Sequence, residues 1–307
     1  MKERYFFISN DVETTSLWNH TLSDITGRKV WKEGMPVLLD LYQKYSIKST
    51  FFFTGHIARL YPDIVRMILP YGHEVGCHGL VHHPDKAFDV LSLEEQVDHL
   101  QESKKILEDI SGKEVISFRA PAIRVNGNTP KALSETGFKI DSSIASQRLD
   151  FIFSFGAKHK LNWLFSPRKP YYASFKNLAR KGDSEIMEFP VNSFLLPYVG
   201  TFMRISPGFT GLIRCILNGE NKLRKTPVSF IIHPNELIDE EITEKKIQRR
   251  SQNYITYLLA DKIRYKLKLR NLGNKAIPLL EKQLIYFSKR KYTSITFRDY
   301  YYSHLDL

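Results

Sequence analysis

The chain has 307 residues, of which 42% are hydrophobic and 25% are charged. This balance excludes global disorder and leaves enough apolar material for a large core. The formal net charge of +12 favours an anionic partner, such as an acidic polymer, a phosphate-linked substrate, a membrane surface or a nucleic acid. A basic surface without a dedicated partner explains the same charge equally well.

The first residues and the cysteines bear on the cellular compartment. The first apolar run covers only residues 5–8, which is shorter than the core of a secretory signal. No stretch approaches the roughly 18 apolar residues of a membrane span. Cys77 and Cys215 are the only cysteines, which is no disulfide framework, although one disulfide is a formal alternative. We expect a cytoplasmic protein, with peripheral contact at the inner face of the membrane as a variant.

Seven short apolar runs are typical of buried strands, and helical patterns separate most of them. Helix signals include Pro62, which is expected to divide a helix or open its main part, and a capping box formed by Ser92 and Glu95. The predicted strands cover 5–8, 50–54, 74–77, 115–118, 138–140, 187–190 and 228–232, and the predicted helices cover 32–45, 57–71, 92–111, 129–135 and 276–287.

Polar residues follow five of the predicted strands, namely Asp11, His78, Arg119, Asp141 and His233. Alternating strands and helices favour parallel βαβ units. In an α/β barrel, the carboxyl ends of the strands form the active-site face. One polar strand end means nothing alone, but five chemically useful ones together indicate a site.

Two segments break the alternation of strands and helices. Residues 144–185 are rich in aromatic side chains and too long for a plain loop. They are interpreted as a lid, as an aromatic platform for a sugar, or equally as a small satellite core. Residues 262–270 alternate basic and apolar side chains, which predicts an extended segment with one basic face.

Four residues have the types that a metal-dependent hydrolase needs. His78 and His82 are spaced so that both imidazoles can point the same way from one helical turn, although such a pair is weak evidence alone. Asp11 and Glu13 follow the first strand, where one carboxylate can bind a metal while the other stays free as a general base. Ordinary loop or capping acids are the alternative for the second pair.

These residues lie in motifs that together resemble a known family. Asp11-Val-Glu13, His78-Gly-Leu-Val-His82, Phe118-Arg-Ala-Pro121, Asp141-Ser-Ser143 and Ile231-Ile-His-Pro234 occur in the order of the five motifs of the polysaccharide deacetylases, the NodB-homology or carbohydrate esterase family 4 proteins. The resemblance is dense over 5–143 and returns at 186–236. Many members have two adjacent aspartates in the first motif, whereas this chain has Glu13 two residues after Asp11, as in deformylases of lipid-linked aminosugars.

The resemblance implies a deformed (β/α)7-type barrel with a divalent metal at the strand ends. Glu13, His78 and His82 would be the metal ligands, with Zn²⁺ expected and Co²⁺, Ni²⁺ or Mn²⁺ as alternatives. Asp11 would be the general base, Arg119 would hold it ionised, and His233 would be the general acid. Asp141 would orient or tune that histidine.

The expected function is metal-dependent hydrolysis of an N-acyl group, with N-acetyl as the default, from an aminosugar in a polysaccharide, glycan or glycolipid precursor. The alternatives are a deacetylase or deformylase of a lipid-linked aminosugar, and an inactive barrel that binds an anionic glycan or lipid head group. No nucleic-acid-binding motif is present, so charge alone is weak support for such a partner. Residues 1–307 are expected to form a single domain, with the 144–185 insert and a basic C-terminal extension at about 240–307.

Overall fold

The computed structural model describes residues 3–18, 21–148, 163–240 and 262–304. The described strands are β1 Tyr5–Val12, β2 Ser49–Phe53, β3 Glu74–Cys77, β4 Ser117–Phe118, β5 Ile140–Asp141, β6 Ala145–Arg148, β7 Tyr171–Ser174, β8 Asn177–Lys181, β9 Met187–Glu188, β10 Val191–Pro197, β11 Val228–Ile232 and β12 Thr293–Ser294. The described α-helices are α1 Asp24–Lys29, α2 Met35–Lys44, α3 Gly55–Leu60, α4 Asp63–Arg66, α5 Leu93–Ser111, α6 Thr129–Glu135, α7 Gly200–Ile205, α8 Pro207–Arg224, α9 Arg264–Lys268, α10 Ile277–Ser288 and α11 Phe297–Ser303.

The main sheet is built on seven parallel strands in the order β11-β1-β2-β3-β4-β5-β9. These are the seven strands predicted from the sequence. The antiparallel hairpin β7–β8 extends the sheet beyond β9. The sheet curls into a half-barrel with helices around it, so the predicted deformed α/β barrel is confirmed.

Alternate residues of each strand point to opposite faces of the sheet, and both faces are buried. On β1, Phe6 and Ile8 pack into the large core under the outer helices, whereas Phe7 packs into a second cluster. That second cluster is completed by Phe297 and Tyr301 of α11. The C-terminal helix therefore packs against inner side chains of the sheet and belongs to the same compact unit.

The helix boundaries follow local signals in the sequence. At α5, Ser92 and Glu95 form the predicted capping box, and Gly112 ends the helix in the left-handed conformation. Pro62 separates α3 from α4, as expected. Both cysteines are free thiols.

The aromatic-rich insert contributes to the core where the structure describes it. Trp163 and Tyr171 are buried in the large core cluster, while Phe165 is exposed. Phe151, Phe153 and Phe155 lie outside the described residues. Tyr172 and Phe175 are exposed as well, so the described part of the insert places aromatic side chains both in the core and at the surface, and its role stays open.

The prediction of an extended segment at 262–270 is wrong, because residues 264–268 form helix α9. A pattern of nine residues is too short to distinguish the period of a strand from the period of a helix, so tertiary contacts can decide between them. Here the carbonyls of Lys268 and Arg270, at the end of this segment, accept hydrogen bonds from Arg204. Within the described ranges, none of the helices combines the length and the apolar character that crossing a membrane requires.

Candidate metal centre and active site

The side chains predicted at the strand ends converge at the carboxyl edge of the sheet. Asp11 lies at the end of β1, His78 directly follows β3, and His233 directly follows β11. Asp11 Oδ2 is 4.0 Å from His78 Nε2 and 3.6 Å from His233 Nε2. Parallel strands end at one edge, which is why residues more than 200 positions apart share one site.

Arg119 follows β4 and is completely buried beneath Asp11. Its Nη1 donates to Asp11 Oδ1 at 2.7 Å, and its Nε and Nη2 donate to the backbone carbonyl and hydroxyl of Ser142. The guanidinium also stacks 4.4 Å from the ring centre of Phe52. Every edge of the guanidinium is thus fixed, and the carboxylate of Asp11 is held in one orientation.

Glu13, His78 and His82 form a cluster with the donor atoms of a metal site. One donor atom from each of the three residues lies within 4.8 Å of the others. Glu13 Oε2 is 3.4 Å from His82 Nδ1 and accepts a hydrogen bond from Thr15. His78 Nδ1 donates to the carbonyl of Arg119 at 2.8 Å, so its Nε2 is left as the ligand atom. Two imidazoles and one carboxylate fit a catalytic zinc-type centre.

His78 and His82 reach this cluster from a loop and not from the helical turn expected from their spacing. Gly79 adopts a left-handed conformation, with φ of 70°. The loop is fixed by hydrogen bonds from the backbone N–H groups of Gly55 and His56 to the carbonyls of Gly79 and Leu80. A β-carbon at position 79 would also come within 3.1 Å of Phe88, so both conformation and space favour glycine there.

The carboxylate on the Nδ1 side of His233 is Glu236, whereas the sequence motifs led us to expect Asp141 there. His233 Nδ1 donates to Glu236 Oε1 at 3.0 Å across a single helical turn that begins at Pro234. Asp141 instead accepts hydrogen bonds from Ser143, and it faces Glu188. The spacing His-Pro-x-Glu was the available signal, since a turn brings residues three positions apart together.

Asp141 and Glu188 form a buried acid pair on the neighbouring strands β5 and β9. Burial raises the pKa of Glu188 well above its ordinary value, and the charge of Asp141 raises it further. Glu188 Oε1 accepts the backbone N–H of Ile144. The raised pKa favours the protonated form of Glu188, so the pair joins the two strands without a full second charge.

The electrostatics give Asp11 and His233 opposite charges. Burial opposes the charge on Asp11, but Arg119 and the two histidines outweigh it and lower the pKa of Asp11 to about 2. Burial also opposes protonation of His233, but the hydrogen bond to Glu236 and the charge of Asp11 raise its pKa to about 9. At neutral pH the site therefore holds a carboxylate beside an imidazolium.

A cavity of about 260 Å³ opens onto these residues. Asp11, His78, His82 and His233 form its reactive wall. The remaining lining is mostly apolar and includes Val199, Phe202, Ile205 and Ile231, with the cationic side chains Arg148 and Lys268. The cavity thus offers an apolar surface and positive charge beside Asp11, His233 and the Glu13–His78–His82 cluster.

The structure is thus an α/β half-barrel whose strands carry, at their carboxyl ends, a histidine–carboxylate cluster that could hold a metal ion. Comparison with known proteins adds to this description. Residues 20–140 match the model of the polysaccharide deacetylase family. A peptidoglycan deacetylase from Helicobacter pylori is 28% identical over 184 residues, which are 59% of this chain and 60% of that protein. Residues 20–140 are therefore similar to the polysaccharide deacetylase family.

Solved structures agree on the fold. A probable polysaccharide deacetylase from Pseudomonas aeruginosa PAO1 matches with a TM-score of 0.61 at 14% identity, over 99% of this chain and 92% of that one. A CE4 family pseudoenzyme from Bacillus anthracis matches with a TM-score of 0.51 at 11% identity, over 97% of this chain and 65% of that one. A probable deacetylase and a pseudoenzyme share this fold, so activity has to be argued from the site. The chain spans 60% of the length of the Helicobacter relative.

Proposed function

We propose that this protein is a metal-dependent N-deacetylase of aminosugars in a polysaccharide, a glycan or a glycolipid precursor. The observation that carries the proposal is the single site in which Asp11 lies 3.6 Å from His233 and beside the Glu13–His78–His82 cluster. An amide hydrolase needs a base for water and an acid for the amine that leaves. The opposite pKa shifts of Asp11 and His233 supply both at neutral pH.

Asp11 and His233 would divide the proton transfers between them. Asp11 Oδ2, ionised by the buried Arg119, would take the proton of the attacking water as the new carbon–oxygen bond forms. His233 Nε2–H would donate its proton to the amide nitrogen as the carbon–nitrogen bond breaks, which releases a free amine and a carboxylic acid. We propose Arg119 as the group that holds Asp11 ionised, whereas the contact expected of Asp141 belongs to Glu236.

Glu13, His78 and His82 would hold the metal. We propose Zn²⁺, with Co²⁺, Ni²⁺ or Mn²⁺ as alternatives, because imidazole and carboxylate donors suit these ions. A bound cation would polarise the acyl oxygen and make water easier to deprotonate. His78 is prepared for this role by burial, which lowers its pKa and keeps the imidazole neutral.

Removing a ligand should abolish tight metal binding. We expect His78→Ala and Glu13→Ala each to weaken the affinity for Zn²⁺ by more than about 100-fold, beyond the usual effect of losing an outer-shell contact. Metal content after reconstitution and dialysis measures this directly. His83→Ala is the matched control, because His83 is adjacent in sequence but contacts Asp85 at the surface. Native metal content in Glu13→Ala would place the third ligand elsewhere.

The protonation state of His233 should set the alkaline limb of the rate. Since the imidazolium is the proton donor, kcat/KM should fall as the pH rises through about 9, the pKa of His233. The same raised pKa stabilises the fold below the ordinary value of 6.5, and this contribution is lost as the pH rises through about 9. A pH–rate profile of the metal-loaded protein checks the limb, and a rate that still increases above pH 10 would contradict the role of His233 as acid.

A second candidate is a deacetylase or deformylase of an aminosugar joined to a lipid through phosphate. Arg148 and Lys268 line the same cavity as the catalytic residues, beside an apolar wall that includes Phe202 and Ile205. Cationic side chains favour an anionic substituent, and the apolar wall favours a nonpolar one. This candidate also agrees with the net charge of +12.

The experiment is a measurement of acetate and formate release by the metal-loaded protein from a panel of substrates. The panel pairs N-acetylglucosamine oligomers and peptidoglycan fragments with N-acyl aminosugars that carry a phosphate or a phosphate-linked lipid. Acetate release from the neutral polymers supports the first candidate, and preference for phosphate-linked substrates supports the second. No release from any member by metal-loaded protein would leave only the inactive, ligand-binding barrel.

A further inference from the structure

His233 is one end of a chain of contacts that continues into the protein interior. Its Nδ1 donates to Glu236 Oε1 at 3.0 Å, while its Nε2 points toward Asp11. The other oxygen of Glu236 accepts a hydrogen bond from Arg204 Nε. Glu236 and Arg204 are both fully buried, so the carboxylate is enclosed between one imidazole and one guanidinium.

Arg204 is itself fixed at the far end. Its Nη1 donates to the carbonyls of Lys268 at 2.6 Å and Arg270 at 3.0 Å, at the end of the C-terminal segment that contains α9. The side chain of Asn271 donates to the backbone carbonyl of Arg204 at 2.7 Å. The orientation of Glu236 therefore depends on Arg204 of α7, and through Arg204 on the backbone carbonyls of Lys268 and Arg270.

Gly200, the first residue of α7, makes room for this carboxylate. A β-carbon there would lie 2.8 and 2.9 Å from the two oxygens of Glu236, closer than such atoms approach in real proteins. The same position has no left-handed backbone that would otherwise call for glycine. The absence of a side chain at Gly200 thus lets the Glu236 carboxylate lie in contact with both His233 and Arg204.

We propose that Glu236 is the positioning residue of the general acid, with Arg204 and Gly200 holding it in place, so that His233 keeps its proton on Nδ1 and presents Nε2 to the reacting group. This inference rests on the proposed function. It gives Glu236 the part that the sequence motifs assigned to Asp141. A buried ion pair is weak evidence for stability, because replacing both charges with apolar groups is often neutral. The Glu236–Arg204 pair lies next to His233, the proposed proton donor, which favours a role in catalysis over a role in stability.

The test compares the titration of His233 in native protein and in Glu236→Gln by NMR of the imidazole nitrogens. The charged groups around His233 are Asp11 and Glu13 on the β1 side and Glu236 on its own turn. Loss of the Glu236 carboxylate should shift the His233 midpoint down by at least about one pH unit, because the hydrogen bond to this carboxylate is the largest cause that raises the pKa of His233 and its charge raises the pKa further. The alkaline limb of kcat/KM should move by the same amount, and kcat should fall about 100-fold with KM nearly unchanged.

Three further variants separate positioning from mere stabilisation. Glu220→Gln removes the carboxylate of a partly buried ion pair, in which Glu220 contacts Arg168 at 2.6 Å, and it should leave the His233 midpoint unchanged. Asp141→Asn should also leave that midpoint unchanged. Gly200→Ala retains every charge but displaces the Glu236 carboxylate, so it should lower the midpoint in the same direction as Glu236→Gln and carries the test if the latter does not fold.

A folded Glu236→Gln protein with the native His233 midpoint and native kcat would overturn the inference, as would a shift caused by Asp141→Asn instead. The titration needs no substrate. A protein that releases no acyl group but shows the expected shift would refute the proposed function and leave the positioning contact intact.

Discussion

Asp11→Asn is expected to lower kcat/KM by about 10²–10⁴-fold, the usual contribution of a general base, while the protein stays folded and keeps its metal. Asparagine has nearly the same shape, and its amide oxygen can still accept the 2.7 Å hydrogen bond from Arg119. It cannot accept the proton of water. Because the proposed ligands are Glu13, His78 and His82, metal content should remain at the native value.

The measurement pairs initial rates with metal content on the same preparation. Asp63→Asn is the matched control, since Asp63 makes an exposed contact with Arg66 on the outer helices and should retain native activity. A native rate in Asp11→Asn would remove Asp11 from the mechanism. Loss of metal together with activity would instead make Asp11 a ligand.

Arg119→Met is expected to lower the free energy of unfolding by about 3–5 kcal/mol, because it leaves the buried carboxylate of Asp11 without its counter-charge. It should also lower activity strongly, since the carboxylate loses the contact that keeps its pKa near 2. Denaturant unfolding and kcat/KM measure the two effects. Arg59→Met is the control: the exposed Arg59–Glu102 pair, at 2.6 Å, should contribute less than about 1 kcal/mol.

The double variant Arg119→Met with Asp11→Asn distinguishes the cause of that loss. If the cost comes from an unpaired charge at Asp11, neutralising Asp11 should recover much of the stability lost in Arg119→Met. Strict additivity of the two single effects would contradict this. In that case the cost would come from the packing of the guanidinium against Phe52 and its hydrogen bonds to Ser142.

The barrel could be predicted from the sequence because its parallel strands are buried on both faces. Such strands appear as short continuous apolar runs, as at residues 50–53 and 228–232, and each is followed by a polar residue at one common edge. Asp11, His78, Arg119 and His233 each lie at or just after the end of such a strand, so their proximity could be predicted. The strands and their edge could therefore be predicted from the sequence, but the distances between the side chains could not.

The positions of Asp141 and Glu236 show what a local sequence pattern leaves open. Both Asp141 and Glu236 are carboxylates near the site, and only the tertiary structure decides which reaches His233. Burial of Arg204 and the space at Gly200 settle the choice, and neither has a sequence signature. Contacts with distant segments also override short periodic spacing in two other places. Residues 78–82 form a loop where a helical turn was expected, and α9 forms where an extended segment was expected.

The most direct test of the central claim is acetate release from N-acetylated sugar substrates by metal-loaded native protein and by metal-loaded Asp11→Asn. The account predicts that the native protein releases acetate and leaves a free amine in equal amount. It also predicts that the variant, with the same metal content, is slower by about 10²-fold or more. Equal rates in the two proteins, or no release by native protein that holds its metal, would contradict the account.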